Sequence, residues 1–535
     1  MTDPPKSSPS STPAAQYTQS ISGAAGLIGA ATFTSRILGF IRDIVLAQLF
    51  GASASADAFY VAYRIPNLLR ELFAEGSMSS AFIPVFTEYH TLRSKKETWE
   101  LASAAFTTLV TIITVVTLLG IVAAPGLVWL LAPGFHEEAA KLATTTLLTQ
   151  VMFPYLFFVS LAAFAMGILN SFRAFAWPAV SPVFFNLCII FFALGVSPLF
   201  HEPIIAVAVG VVVGGLAQFL VQLPAIHKRG MLFSWRFQPG HPGVRQMGLL
   251  ILPTLVGLSV YQVNITVNTI LASYFSGGPT YLFYGTRLIQ FPLGIFSVAL
   301  ATAILPTLSA QAARKELDDL RRTISYSLRM IFFIILPAMT GLIFLREPII
   351  HLFFEHGAFS ARDTAATAGV LLAFSLGLWA IAGNRILITC FYSLQDTKTP
   401  TMVAILGMGT NLVFALWLMS PLQYRGLALA ASLSAMVNYA TLLAILTRRL
   451  GGLNGRALRL SFARNVLALV PVALASYWVA ELAVWHREAE WIAKSVMLFV
   501  GIGLSATGYF GVHALLRSEE LEGSWGIVKK KLRLN

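Results

Sequence analysis

Arginines stand where the surrounding residues are apolar. Arg36, Arg42 and Asp43 lie within the apolar stretch Ile21–Phe50, and Arg64, Asn67, Arg70, Glu71 and Glu75 follow in the next one. Arg287 and Gln290 occupy a third, far down the chain. An arginine fork donates two parallel hydrogen bonds, a geometry that fits phosphate or carboxylate. Arg36, Arg42, Arg64, Arg70 and Arg287 outnumber Asp43, Glu71 and Glu75, so internal pairing leaves positive charge over and an anionic ligand is expected. A purely structural use, arginine paired with acid to hold helices together or snorkelling to an interface, is the competing reading for any single one of them.

Helical phase supports a shared polar face. Arg64, Asn67, Glu71 and Glu75 follow at intervals of three and four, as do Tyr284, Arg287 and Gln290; residues so spaced stack on one side of a helix. On the first stretch Ser35 aligns with Arg42 and Arg36 with Asp43, the two pairs pointing about 100° apart. Gly39 between them would allow a bend.

The elements that carry these charges must be membrane helices. Of 535 residues, 56% are hydrophobic and 11% charged, with a mean hydropathy of +0.73; soluble domains carry about 25% charged residues. A helix needs roughly 20 apolar residues to cross the hydrocarbon core. The expected spans are 22–50, 55–88, 100–131, 140–170, 178–197, 203–226, 246–274, 279–310, 323–345, 365–393, 400–419, 425–447, 463–484 and 491–515. This makes an all-α polytopic membrane protein of about fourteen helices. A charge at mid-bilayer costs at least ~2.5–3.5 kcal/mol, so the arginines are expected to line a water-filled cavity between lobes.

The net charge of +13 would suggest nucleic acid for a soluble chain. Here the basic residues sit in alternate connections: Arg93, Lys95 and Lys96; Arg173; Lys228, Arg229, Arg236 and Arg245; Arg314, Lys315, Arg321 and Arg322; Lys398; Arg448 to Arg464. That is the positive-inside bias. It places both termini in the cytoplasm and leaves no reason to expect a nucleic-acid partner. Residues 1–20 read as a disordered tail rather than a signal peptide, and 517–535 as a basic tail. Cys188 and Cys390 form no disulfide or metal spacing. No nucleophile–base pair, Walker loop or metal constellation is present, so an enzyme is not expected, and no cofactor.

The chain repeats itself. Ala81-Phe82-Ile83-Pro84 resembles Ala303-Ile304-Leu305-Pro306, and Asn170-Ser171-Phe172 before Pro178 resembles Tyr392-Ser393-Leu394 before Pro400, both at a separation of 222. An even number of spans per unit makes this a parallel repeat, a transporter plan. It divides the chain into an N-lobe (21–228), a C-lobe (243–450) and two further helices (460–516).

Ser35-Arg36-Ile37-Leu38-Gly39-Phe40-Ile41-Arg42-Asp43, Asp57-Ala58-Phe59, Arg64-Ile65-Pro66-Asn67-Leu68-Leu69-Arg70 and Phe73-Ala74-Glu75-Gly76 together resemble the opening of the MurJ (MviN) family. Tyr284 through Pro292 and Tyr392 through Pro400 resemble its later segments. The resemblance implies a lipid II flippase of the MOP exporter superfamily, with a MATE-like core of two pseudo-symmetric six-helix lobes in a bacterial cytoplasmic membrane. It implies a basic cavity for the head group, with Arg36, Arg42, Arg70 and Arg287, Ser35 and Asn67 as binding residues. Asp43, Asp57, Arg64, Glu75 and Arg385 are the cavity or gating charges, and the last two helices form a groove for the polyprenyl tail. Lipid II and membrane lipids are the implied partners, with cell-wall synthesis proteins as candidates. Thr286 and Gln290 stand where relatives can carry acids. Some relatives are thought to bind sodium through C-lobe carboxylates, which spans seven, eight, nine, eleven and twelve lack. The alternatives are a flippase for another polyprenyl-pyrophosphate glycan, a MATE-type drug exporter, for which cavity acids should be in excess, and a membrane scaffold.

Overall fold

In a computed structural model the structure describes residues 13–71, 81–231, 234–482, 485 and 491–523, with only the backbone of 13–25, 27 and 252–261. The described residues are helical or in turns and connections, with no strand among them. In chain order the helices are α1 (Pro13–Phe50), α2 (Ala54–Arg70), α3 (Ile83–Leu92), α4 (Lys95–Leu131), α5 (Ala139–Ser171), α6 (Ala176–Phe191), α7 (Pro203–Leu220), α8 (Leu223–His227), α9 (Pro242–Ala272) and α10 (Gly278–Pro292). Then come α11 (Val298–Ala313), α12 (Leu317–Phe344), α13 (Arg346–Phe353), α14 (Ala361–Ser375), α15 (Leu378–Ser393), α16 (Lys398–Leu422), α17 (Tyr424–Arg449), α18 (Gly455–Ala480) and α19 (Trp491–Leu515).

Ten described helical spans are long and apolar enough to cross a bilayer, or eleven if α14 and α15, bent by 41° at a short break, form one span. This is a multi-pass membrane protein. The other three expected spans fall on α1, which carries Arg36, Arg42 and Asp43, on α2, which has only 17 residues, and on α9. Of α9, side chains 252–261 lie outside the described set. Proline inside α4, α5, α12 and α18 (Pro125, Pro154, Pro337, Pro471) is tolerated because neighbouring helices and side chains satisfy the freed carbonyls in lipid. The α10–α11 span loosens into a π turn at Leu293–Ser297, directly after Pro292.

The chain forms two compact units. The first comprises Met1–Leu46, Ala62–Gly126 and Thr145–Leu258; the second comprises Ala47–Val61, Leu127–Thr144 and Ser259–Asn535. In the first, Phe82, Phe86, Leu101, Phe164 and Ile168 make a fully buried core. The Phe82 ring lies 4.7 Å from that of Phe164 and fills the space where Gly167 lacks a side chain. Burying rings of this size contributes about 1.5–3 kcal/mol each relative to exposure in water; against lipid, close packing is the larger part. In the second unit α12 packs on α18 and α19 through Met330, Phe333, Ala468, Val472 and Tyr509. Leu345, Leu352, Val479, Trp485 and Leu498 join α13 to the same pair.

Candidate functional site

In the first unit the polar residues of α1 gather on one amide. Arg42 donates from Nε (3.0 Å) and Nη2 (2.7 Å) to Oδ1 of Asp43, and from Nη1 to Oδ1 of Asn186 on α6 at 3.2 Å. Asn186 Nδ2 in turn donates to the Ser35 carbonyl at 3.2 Å and to the Pro182 carbonyl at 3.1 Å. Asp43 is fully buried and the Arg42 side chain is 14% exposed. Ser35 and Arg42, seven apart, do share a face, and Asn186 links them. Asp43 is met by its neighbour Arg42, whose long side chain folds back along the helix. Arg36 is exposed.

On α2 a second chain of contacts runs along the helix. Asn67 donates to Glu71 at 2.9 Å, and Arg70 Nε donates to Asn67 Oδ1 at 2.9 Å. Arg70 also stands 3.7 Å from the Glu71 carboxylate. Arg64 is partly buried. Glu75 lies outside the described residues. The expected polar face of this helix is therefore seen at Asn67 and Glu71, with Arg70 drawn into it. The Arg70 side chain is thus held by the neutral Asn67 amide, with the Glu71 carboxylate close by.

In the second unit Asp57 is the centre. Its Oδ2 accepts from Lys141 Nζ at 2.9 Å and from the Gly277 backbone N–H at 2.8 Å. Its Oδ1 accepts from the Thr280 hydroxyl at 2.7 Å and the Thr280 N–H at 3.2 Å. Asp57 and Lys141 are 1% and 2% exposed. Asp57 thus sits on the amino end of α10, where unsatisfied N–H groups and the helix dipole favour a carboxylate. One turn along, the Tyr60 hydroxyl donates to that of Tyr284 at 2.9 Å, and Tyr60 stacks on Phe283 at 4.1 Å.

Nearby connections close around this knot. Gly134 N donates to Ser273 Oγ at 3.0 Å, and Ala358 N donates to the Gln48 carbonyl at 2.8 Å. Gly51 (φ +56°) faces the Ala358 carbonyl and Gly357 (φ +60°) the Gln48 carbonyl so closely that a Cβ on either has no room. Ends of α1, α2, α4, α5, α10 and α14 are thereby held together within one unit. The positions that sequence reading passed over are Asn186, Lys141, Tyr60 and Thr280. An asparagine amid the apolar run of α6 was the signal available for the first; a lone lysine in the first turn of the otherwise apolar α5 was the signal for the second.

Arg287 is partly buried on α10 and Arg385 exposed on α15. Tyr284, the first of the three residues expected to share a face, is buried, while Gln290 is exposed. Elsewhere in the second unit two asparagines of α9 share a partner: buried Asn411 of α16 donates to Asn264 Oδ1 at 2.8 Å and to Asn268 Oδ1 at 3.0 Å. These amides are neutral and two of their carbonyl oxygens are engaged, so the set does not fit a sodium ion held by carboxylates. No metal-holding group of His, Cys, Asp or Glu occurs among the described residues.

Comparison with known proteins shows the family. The family model described as "Lipid II flippase MurJ" matches residues 46–499. The chain is 36% identical over 505 residues to the "Probable lipid II flippase MurJ" of Vibrio cholerae, covering 92% of this chain and 95% of that one. It is 34% identical over 493 residues to the "Lipid II flippase MurJ" of Burkholderia cenocepacia, covering 90% and 94%. Among solved structures, "Lipid II flippase MurJ, inward closed conformation" superposes with a TM-score of 0.74 at 26% identity, covering 92% of this chain and 100% of that chain. An inward-facing MATE multidrug transporter of the MOP superfamily shares the fold at a TM-score of 0.66 and 12% identity, over 80% of this chain and 98% of that chain. The chain belongs to the lipid II flippase MurJ family.

Proposed function

We propose that this protein flips lipid II, the undecaprenyl-pyrophosphate-linked peptidoglycan precursor, from the inner to the outer leaflet of a bacterial cytoplasmic membrane by alternating access. The observation that carries the reading is the match along nearly the whole chain to lipid II flippases. The arginines within apolar helices supply the chemistry. Arg36, Arg42, Arg70 and Arg287 receive the pyrophosphate, with Ser35 and Asn67 beside them, and the sugar–peptide head group stays in water. Arg42 and Arg70 are already oriented by Asp43, Asn186 and Asn67, so little side-chain entropy remains to be lost when the anion arrives.

The basic connections and both termini lie in the cytoplasm. That orientation puts Asp57, Lys141 and Thr280 at the outer face, where they latch the outer end. Residues 21–228 and 243–450 work as the two rocking lobes, and 460–516 receive the polyprenyl tail. Arg64, Glu75 and Arg385 add charge along the route. Binding neutralises arginines that otherwise repel one another, which lowers the cost of closing the inner end; release outward follows once the latch parts. The field contributes about 2.3 kcal/mol per charge per 100 mV for an anion moving away from a negative cytoplasm. No covalent bond changes, so the protein works as a transporter rather than an enzyme. Cell-wall synthesis proteins that make and consume lipid II are its expected neighbours.

The test is replacement in cells depleted of their own lipid II flippase. Supplying this chain restores lipid II at the outer face, read by its accessibility to an externally added lipid II-degrading enzyme. Insertion without restored exposure would point to another polyprenyl-linked substrate.

A further inference from the structure

The last helical pair is clasped to α12 and α13 near both of its ends by polar contacts, buried at Glu520 and partly buried at Lys494. Near the carboxyl end of α19, Arg329 of α12 meets Glu519 at 2.8 Å and Glu520 at 3.4 Å. Its side chain is 12% exposed and that of Glu520 is 1% exposed. Around this pair His513 Nδ1 lies 3.0 Å from Ser518 Oγ. The Tyr509 hydroxyl lies 2.8 Å from both the Phe333 carbonyl and the Asn465 amide oxygen. One hydroxyl proton serves the carbonyl; turning the amide so that its NH₂ faces Tyr509 supplies the second bond and uses an Asn465 nitrogen otherwise left without a partner. Three helices, α12, α18 and α19, are thereby tied at one level.

Near the other end Lys494 Nζ lies 2.8 Å from His351 Nε2, and His351 Nδ1 lies 3.0 Å from Glu355. A neutral imidazole satisfies both contacts, accepting from the ammonium and donating to the carboxylate. The Trp485 indole, 6.1 Å from that ring, donates to the Val479 carbonyl at 2.7 Å. Lys494 and His513 are nineteen residues apart on one helix, about 28 Å at 1.5 Å per residue, which is close to the thickness of the hydrocarbon core. A helix fixed at both levels cannot slide or tilt alone.

We propose that Arg329 and Glu520 are positioning residues for the lipid tail: they lock α18 and α19 to α12, so that the pair moves with α12 and α13 as one body and offers the tail a standing wall throughout transport. This rests on the reading that α18 and α19 take the tail. Loosening the clasp should therefore hurt a substrate whose tail reaches these helices and spare one whose tail does not.

The test uses the full chain in vesicles and compares flipping of lipid II with its undecaprenyl tail against an analogue with a short prenyl tail. R329Q takes the arginine away from buried Glu520 and lowers long-tail flipping by about tenfold or more, E520Q, in which Arg329 keeps Glu519 at 2.8 Å, loses less, and R329Q/E520Q, neutral at both positions, recovers most of the R329Q loss. Short-tail flipping changes by less than about twofold in all three, because the readout separates positioning from folding. Equal loss for both tails would mean a general structural defect and overturn the proposal, as would unchanged long-tail flipping in the single variants or no recovery in the double one. A photoactivatable group on the undecaprenyl tail tests the underlying reading separately. Labelling of α18 and α19 supports it, and labelling confined to other helices removes it whatever the variants do.

Discussion

Lys141 and Asp57 form a buried ion pair at 2.9 Å, between residues 84 apart in sequence, on the amino end of a third helix, α10. Removing one partner of such a pair typically costs about 3–5 kcal/mol, because the other charge is left buried alone, whereas replacing both with neutral groups costs far less. Lys141→Met should therefore lower the unfolding midpoint of the purified protein more than Lys141→Met combined with Asp57→Asn. The double variant still presents an amide oxygen to Gly277 and Thr280. A smaller drop in the single than in the double variant would contradict this, showing that Asp57 stabilises through Gly277 and Thr280 without Lys141.

The two glycines beside this knot make a sharper geometric prediction. Gly357 has φ +60° and faces the Gln48 carbonyl with no room for a Cβ. A non-glycine residue in the left-handed region costs about 1 kcal/mol for the backbone alone, and the contact adds to it. Gly357→Ala should destabilise by about 2 kcal/mol or more and increase labelling of a cysteine placed at Tyr284, which is now fully buried. Gly248→Ala, with nothing near its Cβ, is the control and should do neither.

Arg42 is held by Asp43 and Asn186 through three separate nitrogens. Lysine keeps the charge but not the fork. Arg42→Lys should keep insertion and lose flipping by about tenfold or more, read as lipid II exposure, since one bidentate contact carries at least ~1.4 kcal/mol. Asn186→Ala should weaken both stability and transport, by about 1–3 kcal/mol in stability for the Arg42 donor and the Ser35 and Pro182 carbonyls it leaves behind. Normal transport in both would assign this cluster to structure alone.

The amide set Asn264, Asn268 and Asn411 leads to a prediction about ions. Replacing sodium by potassium at constant membrane potential should leave flipping within about twofold, whereas collapsing the potential should slow it, because the field acts on the anion itself with about 2.3 kcal/mol per charge per 100 mV. A requirement for sodium at constant potential would refute this, and so would indifference to the potential.

Asp396, in the connection before α16, accepts the Thr399 N–H at 3.0 Å and hydroxyl at 2.7 Å, and Arg449 lies 2.6 Å away. The Thr399 backbone N–H, then its hydroxyl, with Arg449 adding less, hold this carboxyl below the usual carboxylate range. A depressed carboxyl contributes stability that is fully present above its unfolded value, near 3.9, and is lost as pH falls through the lower folded value. Asp396→Ala should therefore lower the unfolding midpoint at pH 7, and the gap from the natural protein should narrow at pH values below about 4.

Much of this was legible in the sequence, for physical reasons. Hydropathy located the ten or eleven long apolar spans among the described residues because a bilayer demands long apolar helices. The seven-residue spacing correctly put Ser35 and Arg42 on one face. Arg42 is also long enough to fold back on its neighbour Asp43, which helical spacing does not encode. Lys141 stayed hidden because a single lysine at a helix start looks like an interfacial charge until its partner, 84 residues earlier, is brought to it. Asn186 needed α6 to be laid against α1. The ties of α19 to Arg329 and His351 were likewise invisible, because each joins residues more than 140 positions apart.

The most direct test of the central claim is Arg36→Ala in cells depleted of their own flippase, with insertion confirmed and lipid II exposure at the outer face measured. The arginine account predicts that exposure falls to the level of the depleted cells while the protein remains in the membrane. Normal exposure would contradict it, making Arg36 dispensable and moving the pyrophosphate site to Arg42, Arg70 and Arg287 or to a different substrate.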